Sequence, residues 1–556
     1  MSRIGRTLAV ALTGLDGHIV DVEVLTQSGL PAFVLVGLPD TAVGESRDRV
    51  RAALASSGFG FPNCRVTVNL SPAYLPKTGT GFDLGIAVAA LIAMGQIDQE
   101  AQAGTVYLGE LSLDGRIRTM RGILPTVAGA VAAGRRRVVV PNDAALEARL
   151  VKGAEVLAVE SLDELAWRLG ADIARPDAVR LTSGQHHGGA GEAVVAVAGP
   201  GAALPSPGRL GTGPMSGAGV DASSTTDATH PDGAVQQRAC PDLAEVVGQA
   251  QARYALEVAA AGGHHLMLQG PPGNGKTMLA SRLPGILPPL TEQESVEVTA
   301  LHSIAGALDA RGGLIRRPPF QDPHHTATPA AMVGGGSGAP RPGAISLAHR
   351  GVLFLDECPE FSPRVLQTLR QPLERGEIVI HRANATARYP ARFHLVLAAN
   401  PCPCGQGYGR AQACTCSSLV RRRYLGRLSG PLIDRIDLWV DVEPVGPLTS
   451  AAALAGEPSA AVAARVAAAR QAQATRYRAL GWRLNSEAPG GWLRQRAGFR
   501  CLDQSGLNRA LETGALSLRG MDRVLRVAWT MADLDGRDGP GAADIDAAMV
   551  LRRRGT

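Results

Sequence analysis

Short apolar runs separated by polar, turn-forming residues dominate the pattern of this 556-residue chain. In the first 172 residues, Phe33-Val34-Leu35-Val36 and Arg65-Val66-Thr67-Val68-Asn69-Leu70 read as strands. Ser46 to Ser57, Leu84 to Met94 and Leu124 to Ala133 carry helical patterning. A last strand, Arg137 to Pro141, completes an α+β unit over residues 1–172. Residues 173–237 form a linker. Its stretch from Gly188 to Gly233 is rich in Gly, Ala, Pro, Ser and Thr. With so few large apolar side chains it cannot offset the entropy of ordering, which predicts a flexible tether. Residues 238–445 return to buried-strand patterns, and residues 446–556 are helical, with an Ala-rich helix from Pro458 to Leu480 carrying Arg465, Arg470, Arg476 and Arg478. No apolar run approaches the roughly 18 residues of a membrane helix. Leu8 to Leu12, behind Arg3 and Arg6, is too short for a secretion signal. A cytoplasmic protein without a membrane partner is expected.

Two of these apolar runs end in residues that carry chemistry. His265 to Leu268 reads as a buried strand and runs into Gly270-Pro271-Pro272-Gly273-Asn274-Gly275-Lys276-Thr277-Met278. That segment matches the phosphate-binding pattern G-x-x-x-x-G-K-[ST]. Glycines let successive backbone N–H groups turn toward phosphate oxygens, and the helix that follows presents its positive end to them. Lys276 is expected to reach the β/γ-phosphates of ATP, and the Thr277 hydroxyl to hold Mg²⁺. Val352-Leu353-Phe354-Leu355 reads as a second buried strand and ends in Asp356-Glu357. Carboxylates there sit where open α/β sheets place their ligands. Asp356 is expected to bind Mg²⁺ and Glu357 to polarise the attacking water.

The surrounding motifs carry a family resemblance. Arg341-Pro342-Gly343 and Ile345-Ser346-Leu347-Ala348-His349-Arg350-Gly351 run directly into the Asp356-Glu357 strand. Phe393 to Ala399 leads into Asn400-Pro401-Cys402-Pro403-Cys404-Gly405, and Gly430 to Leu438 contains Leu432-Ile433-Asp434-Arg435-Ile436-Asp437. Together these resemble the YifB/ComM family of magnesium-chelatase-like AAA+ ATPases, over nearly the whole chain except the linker. The resemblance implies an AAA+ P-loop core with a helical lid. It also implies a preceding α+β domain similar to that of Lon protease (ribosomal S5 domain 2-like). Asn400 then fits the first sensor position. Arg435 matches the arginine finger that enters a neighbouring subunit's site, the alternative being an intrachain pair with Asp434 or Asp437. Arg519, with Arg523 as second choice, fits the second sensor in the lid. A trans-acting arginine requires a homo-oligomer, and a hexameric ring is what the resemblance implies. ComM-like proteins are DNA helicases that promote branch migration during uptake and recombination, so branched or single-stranded DNA is the implied partner. The alternative is a chelatase-type ATPase that remodels a protein for metal insertion.

The first domain resembles Lon through Val36-Gly37-Leu38-Pro39-Asp40, Glu45 to Val50, Val68 to Pro72 and Gly109 to Gly115. The proteolytic residues are missing. Gly81 stands in the position of the serine nucleophile and Leu124 in that of the lysine. A non-proteolytic contact domain is expected, with Asp83, Glu110 and Arg49 on the surface or in salt bridges. Two insertions mark the AAA+ branch. One contains Arg316 to Phe320, His324-His325 and Gly334 to Gly336; the paired histidines are expected to shape a loop. The other is a hairpin around Glu377 to Arg382 and Ala387-Arg388. In ring ATPases of this branch it faces the pore, where His381, Arg382 and Arg388 would contact phosphates without reading sequence.

Composition adds two points. The net charge of +6 and pI near 9.0 permit a polyanionic partner. Four of the eight cysteines, Cys402, Cys404, Cys414 and Cys416, fall within fifteen positions. Four thiolates suit tetrahedral Zn²⁺, whereas the C-x-C spacing is tighter than the usual C-x₂-C. Structural zinc and unliganded thiols both remain open.

Overall fold

The computed structural model describes residues 3–174, 240–336, 340–381, 386–407, 414–444, 456–497, 502 and 506–552. The expected linker lies outside the described residues apart from its first two positions, and Arg382 lies outside them too. The described residues up to 173 and those from 240 onward pack as one unit.

The first domain is a seven-stranded sheet. Its strand order is Ala32–Val36, Arg65–Ser71, Asp16–Gln27, Arg3–Thr13, Val106–Tyr107, Arg137–Pro141, Glu155–Val159. The two longest strands, Arg3–Thr13 and Asp16–Gln27, pair antiparallel along their length around Ala9 opposite Val20. The apolar run Leu8 to Leu12 falls inside the first of these strands, and the second, Asp16–Gln27, was not predicted from the sequence. Val20, Val22 and Val24 are buried while Asp21 between them is exposed, the period of a half-buried strand. Arg137–Pro141 is not the last strand of the unit. Strand Glu155–Val159 and helix Leu162–Arg168 follow, with Ser161 capping the helix through the Glu164 N–H. Helix Asp83–Ala93 is buried at every position. Arg49 donates to Asp83 at 2.6 Å, and Ser46 and the Leu111 N–H also bond that carboxylate. Asp83 and Arg49 thus form a salt bridge in the domain interior, one of the two arrangements expected for them.

The second domain is a five-stranded, all-parallel sheet. Its order is Phe320–Gln321, Val352–Leu355, His394–Ala399, Leu266–Gln269, Leu438–Asp441. Phe320 and Gln321, read from sequence as part of an inserted loop, form its edge strand. The inner strands are buried on both faces, which accounts for their unbroken apolar runs. Strand His394–Ala399 lies between the phosphate-loop strand and the Asp356-Glu357 strand. Register pairs Gln269 with Ala399 and Leu355 with Leu397, so all three strands end at the same edge. The expected hairpin is present as Glu377–His381 paired with Thr386–Pro390. Arg388 there is exposed and lies 3.5 Å from Glu377.

The C-terminal helices include Ser459–Tyr477, Leu518–Leu534 and Ala542–Val550. The arginines of the first of these tie it down. Arg465 binds Glu257 at 2.6 Å, Arg470 donates to the Ala260 carbonyl, and Arg476 pairs with Asp533. The first domain docks on helix Glu292–Ala305. The Gly122 N–H donates to the Ser303 carbonyl at 3.3 Å, the Ser303 hydroxyl donates to Glu147, and Lys152 pairs with Glu292. Leu124 is buried and donates its N–H to Glu147 at 2.8 Å. Among the described residues, no helix is long and apolar enough to cross a membrane.

Candidate active site

The phosphate loop is built by backbone geometry. Gly273 and Gly275 take φ values of +80° and +84°, which a side chain would strain, and helix Lys276–Ile286 starts directly after them. Gly270 has no room for a side chain: a Cβ there would stand 2.4 Å from the Val442 carbonyl oxygen. The Asn274 side chain donates to that same carbonyl at 3.0 Å. The loop is thereby anchored to the end of strand Leu438–Asp441. Pro272, Gly273, Thr277 and Met278 are exposed, while Pro271 and Asn274 are half-buried.

Lys276 is 7% exposed. Its ammonium donates to the carbonyls of Gly270 (2.7 Å) and Pro271 (2.9 Å) and to Asn400 Oδ1 (3.0 Å). Burial lowers its pKa, and the carboxylates of Asp356 and Glu357 oppose that shift. Asn400 reaches Lys276 because its strand is the direct neighbour of the phosphate-loop strand. The Gly270 N–H completes the junction by donating to the Ala399 carbonyl at 3.2 Å. The Thr277 hydroxyl donates to Asp356 Oδ2 at 2.5 Å. A hydroxyl and a carboxylate oxygen meeting beside a turn of free N–H groups is the donor set that Mg²⁺ with a nucleotide requires, so the residues fit that pair.

Glu357 leaves the strand in the left-handed region, at φ +48° and ψ +42°, and its N–H donates to Asp356 Oδ1 at 2.9 Å. A non-glycine residue there costs about 1–2 kcal/mol, a strain that concentrates at functional sites. Its carboxylate is exposed and faces His325 Nδ1 at 3.8 Å. Sequence reasoning assigned His325 only a loop-shaping role. Thirty-two positions separate it from Glu357, and no local pattern links them.

The three arginines separate clearly. Arg435 pairs with Glu374, not with Asp434 or Asp437, and donates to the Pro431 carbonyl at 2.6 Å. Arg519 is exposed in the first turn of helix Leu518–Leu534. Arg523, the second choice for a phosphate sensor, is engaged elsewhere. It donates to the buried Asp437 at 2.6 Å and ties the lid to the sheet. Burial pushes the Asp437 carboxyl up, but the His264 hydrogen bond and the charges of His264 and Arg523 hold it well below the usual range. Asp437 is thus a structural anchor next to Arg435.

The sulfurs of Cys402, Cys404, Cys414 and Cys416 all lie within 4.8 Å of one another. Cys402 is buried and Cys404 exposed. Hydrogen bonding from the Gln406 N–H, then from Cys402, draws the Cys404 thiol down to about 6.

Three family models match the chain. Magnesium chelatase, subunit ChlI, matches residues 242–449; subunit ChlI of Mg-chelatase matches 22–144; and the ChlI C-terminal model matches 456–552. An uncharacterized protein of Mycobacterium tuberculosis is 48% identical over 553 residues, 99% of each chain. YifB of Escherichia coli is 39% identical over 530 residues, 95% of this chain and 93% of its own. Competence protein ComM of Haemophilus influenzae is 38% identical over 529 residues, again 95% and 93%.

Proposed function

This chain belongs to the YifB/ComM family of magnesium-chelatase-like AAA+ proteins, and from that premise we propose that it is an ATP-hydrolysing ring motor acting on DNA. The observation that carries the ATPase reading is the meeting of Lys276 with Asn400 at 3.0 Å and of Thr277 with Asp356 at 2.5 Å, at the carboxyl edge of one parallel sheet. Residues from Gly270 to Met278 bind the nucleotide. Lys276 exchanges its loop carbonyls for phosphate oxygens. The Thr277 hydroxyl and the Asp356 carboxylate hold Mg²⁺, which when bound neutralises charge on the β- and γ-oxygens. Glu357 orients the attacking water and accepts its proton. Asn400 reports the state of the γ-phosphate to Lys276, to which it is already bonded. Arg519 provides the cation of the lid. Arg435 is released from Glu374 to act in the neighbouring subunit's site, which is why an oligomeric ring is required; the hexamer is what the family resemblance implies. These site roles, like the division at 172, 237 and 445 and the cytoplasmic location, are part of the proposal.

The DNA reading rests on the relative named competence protein ComM and on the exposed hairpin bearing His381 and Arg388. On this reading the motor is a helicase promoting branch migration on branched or single-stranded DNA. The description of all three matching family models as chelatase subunits favours a second reading, a motor that remodels a metal-inserting partner. ATP turnover measured with and without forked DNA at low salt decides between them. Stimulation and strand displacement support the helicase; no DNA binding at low salt removes it and leaves the second reading. The first domain serves as a contact module. Degradation of casein that is abolished by changing Asp83 or Ser71 would overturn that assignment.

A further inference from the structure

We propose that Cys402, Cys404, Cys414 and Cys416 bind one Zn²⁺ ion, and that this tetrathiolate centre staples the segment after Asn400 against the phosphate loop. The sulfur separations decide the nature of the site. Cys402 lies 3.2 Å from Cys404 and 3.7 Å from Cys414, and Cys404 lies 3.6 Å from Cys414. Zinc–sulfur bonds of about 2.3 Å place tetrahedral sulfurs about 3.8 Å apart. A disulfide needs about 2.05 Å, which none of these pairs meets. The thiolates of an iron–sulfur cluster bind separate irons and stand further apart than sulfurs sharing one ion. Soft thiolate ligands in a four-sulfur set also exclude Mg²⁺ and Ca²⁺ here.

The backbone is shaped for the sulfurs. Cys402 and Cys404 flank a tight turn in which the Gly405 N–H donates to the Cys402 carbonyl at 3.0 Å. Gly405 takes φ +75°. A Cβ on Gly407 would stand 2.9 Å from the Cys402 sulfur and 3.6 Å from that of Cys414, so glycine alone lets the chain pass over them. The N–H groups of Gln406 and Gly407 serve the sulfurs of Cys404 and Cys402 as hydrogen-bond donors. Such outer donors orient thiolates and spread their charge in metal sites. The knuckle also touches the nucleotide loop. A Cβ on Gly405 would stand 2.7 Å from Pro272 Cδ. Two residues before Cys402 is Asn400, whose side chain holds Lys276. One ion would therefore fix the end of the Asn400 strand, Pro272 and the start of helix Ser418–Leu425 together.

The test is elemental analysis of the full chain purified in reducing buffer without chelators. About one zinc per chain is expected, released to a colorimetric chelator when the thiols are modified. Cys402→Ser and Cys416→Ser should lose it, Cys414→His should retain it because imidazole also ligates zinc, and Cys64→Ser should match the wild type. Stapling is read separately: zinc-stripped protein should be cut by trypsin at Arg421, Arg422 and Arg423 well before the zinc-loaded form. Wild-type protein that carries no zinc and takes none up on addition would overturn the proposal. So would iron in its place, or unchanged zinc in both serine variants. Equal cleavage rates with and without zinc would overturn the stapling role.

Discussion

Replacing Arg523 by alanine separates a structural arginine from a phosphate sensor. Arg523 donates to Asp437 at 2.6 Å, and the Asp437 side chain is 5% exposed. Removing one partner of a buried ion pair costs about 3–5 kcal/mol, because the remaining charge stays desolvated. Asp437 keeps His264 Nδ1 at 3.1 Å, a charge-assisted contact worth about 1.5–3 kcal/mol, so the cost falls at the low end, about 3 kcal/mol. A domain of this size class shifts about 2–4 °C per kcal/mol, which gives a fall in Tm of roughly 6–12 °C. The matched control is Arg519→Ala. An exposed surface change of that kind stays within about 0.5 kcal/mol, so its Tm should hold while ATP turnover falls. Thermal unfolding followed by circular dichroism, with steady-state turnover on the same preparations, reads both effects. The reasoning fails if Arg523→Ala keeps the wild-type Tm and loses turnover while Arg519→Ala keeps both.

Mixing Arg435→Ala with Lys276→Ala subunits should restore part of the ATPase activity that each lacks alone, because some interfaces then pair an intact loop with an intact arginine; no recovery at any ratio would refute action in trans. Acid should weaken the fold through His302. Its Nε2–H donates to the Leu347 carbonyl at 3.2 Å while Nδ1 is buried without a partner, and burial lowers its pKa to about 4. Between pH 7 and 5 the unfolded imidazole, titrating near 6.5, binds a proton that the folded one does not. Stability therefore rises with pH in that window, and acidification to pH 5 costs roughly 2 kcal/mol. Urea unfolding of His302→Gln at the two pH values should show a smaller loss than the wild type, and equal losses would contradict the assignment.

The parts of the site that were legible in the sequence are those written locally. The run from His265 through the glycine pattern of residues 270–278 and the apolar run ending at Asp356-Glu357 each state a strand, its end and a candidate ligand within about a dozen residues. Asn400 was legible as a strand end, but its contact with Lys276 depends on strand order, which no local pattern carries. The same limit hid Arg523 with Asp437, Arg435 with Glu374 and His325 with Glu357, each joined across more than thirty positions. The N-terminal hairpin differs. Its alternation at Val20, Val22 and Val24 is a local signal that was present in the sequence. The cysteine spacing left metal and free thiols open, because the convergence of four sulfurs is a property of the folded loop.

The most direct test of the central claim compares steady-state ATP hydrolysis by the wild type and by Glu357→Gln, with binding of a fluorescent ATP analogue measured on both. Glutamine keeps the size and the left-handed backbone but cannot accept a proton from water. The account predicts analogue binding within about twofold of wild type, since Lys276, Thr277 and Asp356 are untouched, and turnover lower by about 10²-fold or more, the range of a lost general base. Wild-type turnover in Glu357→Gln would contradict it.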